Sequence, residues 1–334
     1  MGPAREASQE SSGDLVAAFE RAGAGLRRTR EALAGVIFGQ DASVETALAV
    51  MVAGGGAVIA GAPGSAKTRL VQALGAVFGL PVGRIRFTPD LELEELIGEA
   101  DARPALGASG APRRRTVASP LFNPLVLAED LDRAAPRVRS AVLEAAHEGQ
   151  VMVGGAAVPL PRPFHLLATT TDPEGLGLGE TETDRFLAQI DLGAPDRGGE
   201  RRMLIETSGR DAASVRQAMD VAGLIEAQRV AVELPVGEKV VEAILDLVRR
   251  ARPDDPSAPP VVRQSVARGP GPRAGQALMR LARARALIDG RPSPSAADVK
   301  ALALPVLKPR LEMHVAHGRK ADAAAVIAEL VAGL

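Results

Sequence analysis

The chain predicts an α/β fold, a parallel sheet with helices on both faces, followed by a smaller all-α domain. Three observations carry that prediction. Short apolar runs at 57–60, 124–128 and 164–169 alternate with helix-period segments over roughly the first 195 residues, the pattern of strand–helix–strand units. Beyond residue 196 the apolar positions recur at helical spacing alone. A glycine-rich turn, Gly61-Ala62-Pro63-Gly64-Ser65-Ala66-Lys67-Thr68, joins the first apolar run to the helix that opens with Arg69.

That turn is the most informative stretch. A loop that wraps phosphates aims backbone N–H groups inward, so bulky residues are excluded at the closest approaches. The following helix adds a positive dipole end under the anion. Lys67 is suited to β- and γ-phosphates, and the Thr68 hydroxyl to Mg²⁺. Ala66 stands where a second glycine is usual, which is tolerable if that residue has already entered helical φ/ψ. The bland alternative is a glycine-rich turn before an ordinary helix.

The remaining elements follow in order. Residues 1–13, rich in Ser, Gly, Glu and Gln, predict a disordered tail. Helices are expected over 15–37 and 43–53, and a short strand over 84–87. Residues 101–124 hold Pro104, Gly107, Gly110, Pro112, Pro120 and Pro124 and read as an inserted hairpin or loop. The strand 124–128 ends in Glu129-Asp130, and a helix follows over 136–148. Residues 150–160 predict a hairpin around Gly154-Gly155. Further strands are expected at 164–169 and 188–192. The nucleotide-binding core thus spans 14–195. The domain of 196–334 predicts helices at 201–207, 214–228, 237–251, 273–289, 295–304 and 321–331, with a long Pro- and Gly-rich connection over 252–272.

In an open α/β sheet, ligands gather at the carboxyl ends of the strands. The first strand end supplies Lys67 and Thr68. The second supplies Glu129 and Asp130, suited to holding Mg²⁺ through water and orienting an attacking water, or else forming a solvated turn with Asp132 as a helix cap. The third supplies Thr170, Thr171 and Asp172. Phosphoryl transfer needs positioning and charge neutralisation more than covalent chemistry. Arg185 and Arg273 are candidates for stabilising γ-phosphate charge, with surface salt bridges as the alternative.

Composition excludes other classes. The 334 residues are 46% apolar with net charge −1, and they include no cysteine, tryptophan or tyrosine. Disulfide and thiol chemistry are absent, and base-stacking platforms for nucleic acid are nearly so. His314 and His317 read as a surface pair rather than a zinc site. No apolar run reaches the ~20 residues of a membrane span, and the polar residues 1–13 lack the basic and apolar regions expected of a signal peptide. A cytoplasmic location is expected.

The chain resembles the MoxR-type AAA+ ATPases from Gly39 to the C-terminus. The resemblance is carried by Gly39-Gln40, by the Gly-x-Pro-Gly-x-Ala-Lys-Thr loop with its alanine, and by Arg84-Ile85-Arg86-Phe87-Thr88-Pro89-Asp90. It is carried further by Asp132-Arg133-Ala134, Leu143-Glu144-Ala145 and Glu148-Gly149-Gln150-Val151, by Asp184-Arg185-Phe186-Leu187 with Ile190-Asp191-Leu192-Gly193, and by Gly271-Pro272-Arg273-Ala274. It implies an AAA+ core with a helix-2 insert at about 99–121, a pre-sensor hairpin at 150–160 facing a central pore, and an all-helical lid. It also implies a hexameric ring with ATP and Mg²⁺ at subunit interfaces. Gly39 and Gln40 would lie beside the adenine. Residues 61–69, Arg69 included, would surround the phosphates, and Thr68 and Glu129 would serve the metal. Arg185 would reach a neighbour's nucleotide, and Arg273 would be a sensor in its own lid. A partner with a von Willebrand factor A domain and a protein client are implied as well. Two departures stand out: the acid pair is Glu129-Asp130 where the family has Asp-Glu, and Asp172 replaces the sensor asparagine. Both imply slow hydrolysis. The alternatives are a nucleotide-binding scaffold with little hydrolysis and a magnesium-chelatase-like motor subunit.

Overall fold

The computed structural model describes residues 3–97, 119–153, 156–172, 177–207, 215–316 and 319–334. The first part contains α1 (Pro3–Ala34), α2 (Asp41–Val52), β1 (Ala57–Gly61), α3 (Lys67–Phe78), β2 (Val82–Arg86), α4 (Leu93–Ile97), β3 (Leu125–Glu129), α5 (Pro136–Glu148), β4 (Gln150–Val153), β5 (Ala156–Pro159), β6 (His165–Thr170), α6 (Glu180–Thr183) and β7 (Ala188–Leu192). Five of these strands form one parallel sheet in the order β2-β3-β6-β1-β7. The strands β1, β3 and β6 are buried along their whole length, as expected where helices cover both faces. β4 and β5 pair antiparallel as the predicted hairpin. Its Gly154-Gly155 turn, and all of the predicted insert except 119–121, lie outside the described residues.

The second part contains α7 (Arg197–Thr207), α8 (Val221–Glu233), α9 (Glu238–Arg250), α10 (Pro260–Ser265), β8 (Val266–Arg268), α11 (Pro272–Ile288), α12 (Ala296–Leu307), β9 (Glu312–Met313), β10 (Val315–Ala316), β11 (Arg319–Lys320) and α13 (Ala323–Ala332). It is a helical lid, with α11 as its buried spine: Leu278, Leu281, Ala282 and Leu287 are fully buried. One continuous core joins lid to sheet, because α11 packs on α2 and α12 on β7. An ion-pair network reinforces this junction. Arg285 reaches both Glu45 of α2 and Asp298 of α12, and Arg30 of α1 reaches Asp289.

The structure corrects four expectations. Residues 3–13 are helical and continue into α1, in keeping with their Ala, Glu, Gln and Arg content. The 252–272 connection holds α10 and β8. Strands do occur beyond 196, as the small pairs β8–β9 and β10–β11. They are too short to show a period of two. The helix expected at 214–228 starts at Val221, because Asp220 caps it by accepting from the Gly223 N–H.

Candidate functional site

The turn between β1 and α3 is built by close approach. A side chain at Gly61 would lie 2.5 Å from the Leu192 carbonyl oxygen and from Ser65 Oγ. Gly64 is left-handed at φ +83 with open space around it, which glycine adopts without steric cost. Ala66 corrects the prediction. It has not entered the helix but stands just before it in the left-handed region, at φ 68 and ψ 21. That conformation costs an L-residue on the order of 1 kcal/mol. The turn needs it to launch α3 from β1.

Lys67 and Thr68 open α3, two residues before the helix start expected at Arg69. The Lys67 ammonium donates to the Gly61 and Ala62 carbonyls at 2.6 and 3.0 Å. Burial lowers its pKa, against an opposing pull from Asp130. The Thr68 hydroxyl donates to Glu129 Oε1 at 3.0 Å, which brings the first and second strand ends together. The other Glu129 oxygen, Oε2, accepts from Arg84 Nε at 2.8 Å. Asp130 has a left-handed backbone at φ 55, and its N–H donates to Thr169 Oγ1. These residues fit a nucleotide's phosphates and a magnesium ion. The Ser65 hydroxyl is buried with no hydrogen-bond partner, the Lys67 cation meets only loop carbonyls, and Thr68 with Glu129 offers the hard oxygen donors that Mg²⁺ takes.

At the third strand end Thr170 is buried, and its Oγ1 accepts from the Asp172 N–H at 3.1 Å. It also hydrogen-bonds Asp132, whose pKa is raised by burial and then by the Asp130 charge. Thr170 is therefore engaged, and Thr171 is the exposed hydroxyl of this strand end. Asp132 does not cap α5, which begins after Ala135 with no side-chain cap. Its Oδ1 is buried without a hydrogen bond.

Gly39 and Gln40 form a tight corner against the start of α7. Gly39 is left-handed at φ +64, with Asp196 and Pro195 within 3.2 Å of where a side chain would begin. The Gln40 amide donates to the Gly193 carbonyl, and Arg202 lies over the Phe38 ring, 5.0 Å from its centroid. Arg69, expected around the phosphates, instead donates to the Val36 carbonyl at 3.2 Å. It braces the 36–40 segment against α3.

Arg185 and Arg273 lie elsewhere. Ala188 pairs with Ala57 and Leu192 with Gly61, so residues 184–187 sit at the amino edge of the sheet, opposite the phosphate loop. Four strand residues separate the two edges by about 13 Å. Asp184 is shared at this edge by Arg310, at 3.0 Å, and Arg273, at 3.7 Å. Arg273 is thus beside Arg185 and not beside Lys67, which corrects the expectation of a sensor for its own nucleotide. Arg310 is buried and also donates to the Phe186, Leu187 and Val306 carbonyls. Arg185 is exposed and has no ion pair among the described residues, because Asp184 is taken by Arg310 and Arg273 and Glu182 by Arg139. Both candidate arginines line a cavity of about 640 Å³ floored by Ile244, Leu245 and Met279.

Sequence reasoning missed Arg84, Arg139 and Arg310. For Arg84 a signal existed: Arg84 and Arg86 alternate on β2, the strand that turns out to border Glu129. Arg139 and Arg310 carried none, since each depends on a tertiary contact.

Comparison with known proteins agrees with this layout. Residues 56–188 match the AAA family, the "ATPase family associated with various cellular activities", and residues 260–330 match the AAA lid domain. The chaperone MoxR1 of Mycobacterium tuberculosis is 33% identical over 279 residues, covering 83% of this chain and 72% of that protein. The Protein MoxR of Paracoccus denitrificans is 26% identical, over 89% of this chain and 91% of its own length. A crystal structure of a Cytophaga hutchinsonii protein assigned as an ATPase superposes with a TM-score of 0.83, at 25% identity over 98% of both chains. With its sheet order, its phosphate loop and its lid, the chain belongs to the MoxR-type AAA+ ATPases.

Proposed function

We propose that this protein is an ATP-hydrolysing motor that remodels or matures a partner protein complex, working as a ring in which each nucleotide is served by two protomers. The observation that carries this reading is the split of charged groups between the two edges of one sheet. Lys67, Thr68 and Glu129 meet at the carboxyl edge. Arg185 and Arg273 stand at the amino edge, where no phosphate on the same protomer's loop is within reach. A ring brings the second edge of one copy to the first edge of the next. The chaperone role follows the MoxR1 relative. The expected partners are a hexamer of identical chains, a protein with a von Willebrand factor A domain and a protein client.

In this reading the loop N–H groups of 61–66 and the N-terminus of α3 hold the phosphates. Lys67 leaves its own loop carbonyls for the β- and γ-phosphates. Thr68 and Glu129 would hold the metal, which would supply charge neutralisation there. Asp130 would orient the attacking water, and Thr171 would be the hydroxyl available to sense the γ-phosphate. The neighbour's Arg185 and Arg273 stabilise charge that develops in the transition state.

The reversed acids favour a slow rate. Glu129 is held from both sides, by Thr68 and by Arg84, and Asp130 is one methylene shorter than the glutamate it replaces. Phosphate release by purified protein, with and without Mg²⁺, tests the motor reading. Magnesium-dependent turnover is expected; tight ATP binding without turnover would mean a scaffold. The double swap Glu129→Asp with Asp130→Glu is expected to raise kcat.

A further inference from the structure

We propose that Arg139 is a positioning residue that ties a protomer's own nucleotide site to the arginine it presents to the next protomer. The inference rests on the reading of Arg185 as acting across a subunit boundary. Arg139 lies on α5 and pairs with Glu182 at 2.8 Å, and both side chains are only 12% exposed. On one side the guanidinium reaches the Asp132 and Ala134 carbonyls, at 3.3 and 3.5 Å. Those carbonyls belong to the turn that leaves Glu129-Asp130, where the metal and the attacking water are expected. On the other side Glu182 opens the segment that carries Arg185. Its Oε2 accepts from the Gly179 N–H at 2.7 Å, and its carbonyl accepts from the Arg185 N–H at 3.3 Å. One planar guanidinium therefore touches the acid turn and the Arg185 segment at once.

Nearly dry ion pairs are a poor source of stability, because desolvation offsets most of the attraction. What a guanidinium fork supplies is direction, since its donors are fixed in one plane. A shift of the acid turn moves the Asp132 and Ala134 carbonyls, and through Arg139 and Glu182 it moves the Arg185 backbone. Contiguity alone does not establish energetic coupling, so the test reads which protomer suffers when the link is cut.

Arg139→Gln is expected to lower kcat about 10- to 100-fold, the penalty of a misplaced catalytic group, with nucleotide affinity close to wild type; it leaves the Glu182 carboxylate without its ion pair, so melting falls and rates are read below the variant's transition. In mixtures under subunit exchange, Arg139→Gln should behave as a defect in what a protomer offers its neighbour. Mixed with Lys67→Ala it regains phosphate release, because the intact loop of one meets the well-placed Arg185 of the other. Mixed with Arg185→Ala it does not. The charge swap Arg139→Glu with Glu182→Arg should recover part of the rate. A wild-type rate in Arg139→Gln overturns the proposal. So does the opposite pattern, rescue by Arg185→Ala but not by Lys67→Ala, which would place Arg139 in the service of its own site. If Arg139→Gln does not fold, Glu182→Gln enters the same mixtures with the same expectations. The control mixture of Lys67→Ala with Arg185→Ala separates the two levels: no rescue there, despite exchange, overturns the reading of Arg185 itself.

Discussion

The two edges of the sheet handle charge in opposite ways. At the carboxyl edge the cation is provisionally satisfied: Lys67 rests on two loop carbonyls, and the acid Glu129 is held by Thr68 and Arg84. At the amino edge arginines outnumber acids. Asp184 serves both Arg310 and Arg273, and Arg185 has no ion pair among the described residues. The first edge is complete enough to bind a polyphosphate by itself. The second holds cations whose use requires an anion that the described residues do not supply there. Phosphoryl-transfer sites need both sets of groups around one γ-phosphate. A single copy carries both, about 13 Å apart along the strands, and that separation is what the proposed ring would close.

The largest expected effect tests the carboxyl edge. Lys67→Ala should abolish measurable hydrolysis and weaken ATP binding about tenfold or more, the loss of one charge-assisted phosphate contact. Unchanged affinity by calorimetry would remove the phosphate-loop assignment. Arg185→Ala should cost about 10³-fold in kcat while ATP affinity of the isolated protomer stays within about twofold. An equal loss of affinity would place Arg185 in its own site and erase the contrast between edges.

Not every arginine of the amino edge is functional, and stability measurements sort them. Arg310 is buried, its pKa is lowered by burial, and it holds Asp184 together with three backbone carbonyls. Arg310→Ala takes this donor from the three carbonyls, leaves Asp184 only its longer contact with Arg273, and should destabilise the protein by about 3–5 kcal/mol. Arg185→Ala removes no ion pair and should leave the melting temperature within about 1 °C of wild type. Equal losses would mean that Arg185 is structural.

His165 sharpens the comparison from beneath. It starts β6, fully buried at the amino edge, and its Nδ1–H donates to the Gly55 carbonyl at 2.9 Å. The Gln228 amide of α8 faces Nε2 at 3.2 Å and also donates to the Met51 carbonyl. Burial lowers its pKa to about 4 from 6.5. The unfolded chain therefore binds a proton that the folded chain refuses. The destabilisation begins as pH falls through 6.5 and is complete below about 4. Going from pH 7 to pH 5 should cost about 2 kcal/mol from this residue. Melting curves at both pH values, with His165→Asn as the comparison, check this; an equal pH dependence in the variant would clear His165 of the effect.

What was legible in the sequence was local. The loop from Gly61 to Thr68 and the strand that ends in Glu129 could be read because a few adjacent residues define each. The three central strands followed from apolar runs that mark strands buried on both faces, and the edge strands from short segments at 84–87 and 188–192. Arg84 was not legible, since its contact with Glu129 depends on β2 lying beside β3. The Asp184–Arg310 pair joins residues 126 apart in sequence, and no spacing rule reaches that far. Arg273 was placed at the wrong edge because a motif fixes a residue in sequence, while the docking of α11 on α2 fixes it in space. Ala66 was misread because helical propensity describes an alanine within a helix, not one at the junction before it.

That alanine gives the smallest expected effect. Its left-handed backbone costs on the order of 1 kcal/mol relative to glycine, so Ala66→Gly relieves strain in the folded state. The substitution also loosens the unfolded chain, which takes back about 0.4–1 kcal/mol. The two terms nearly cancel, and a net stabilisation of at most about 0.5 kcal/mol is expected. The kinetic effect is more informative. If the methyl group only holds the turn in shape for the phosphates, glycine at 66 should weaken ATP binding by no more than about threefold and leave kcat nearly unchanged. Denaturant midpoints and ATP titrations of the same preparation read both terms. A stability loss above about 1 kcal/mol would mean that the methyl packs usefully in the folded turn. A kcat loss as large as that of Arg185→Ala would mean that the loop's rigidity, and not only its donors, completes the carboxyl edge.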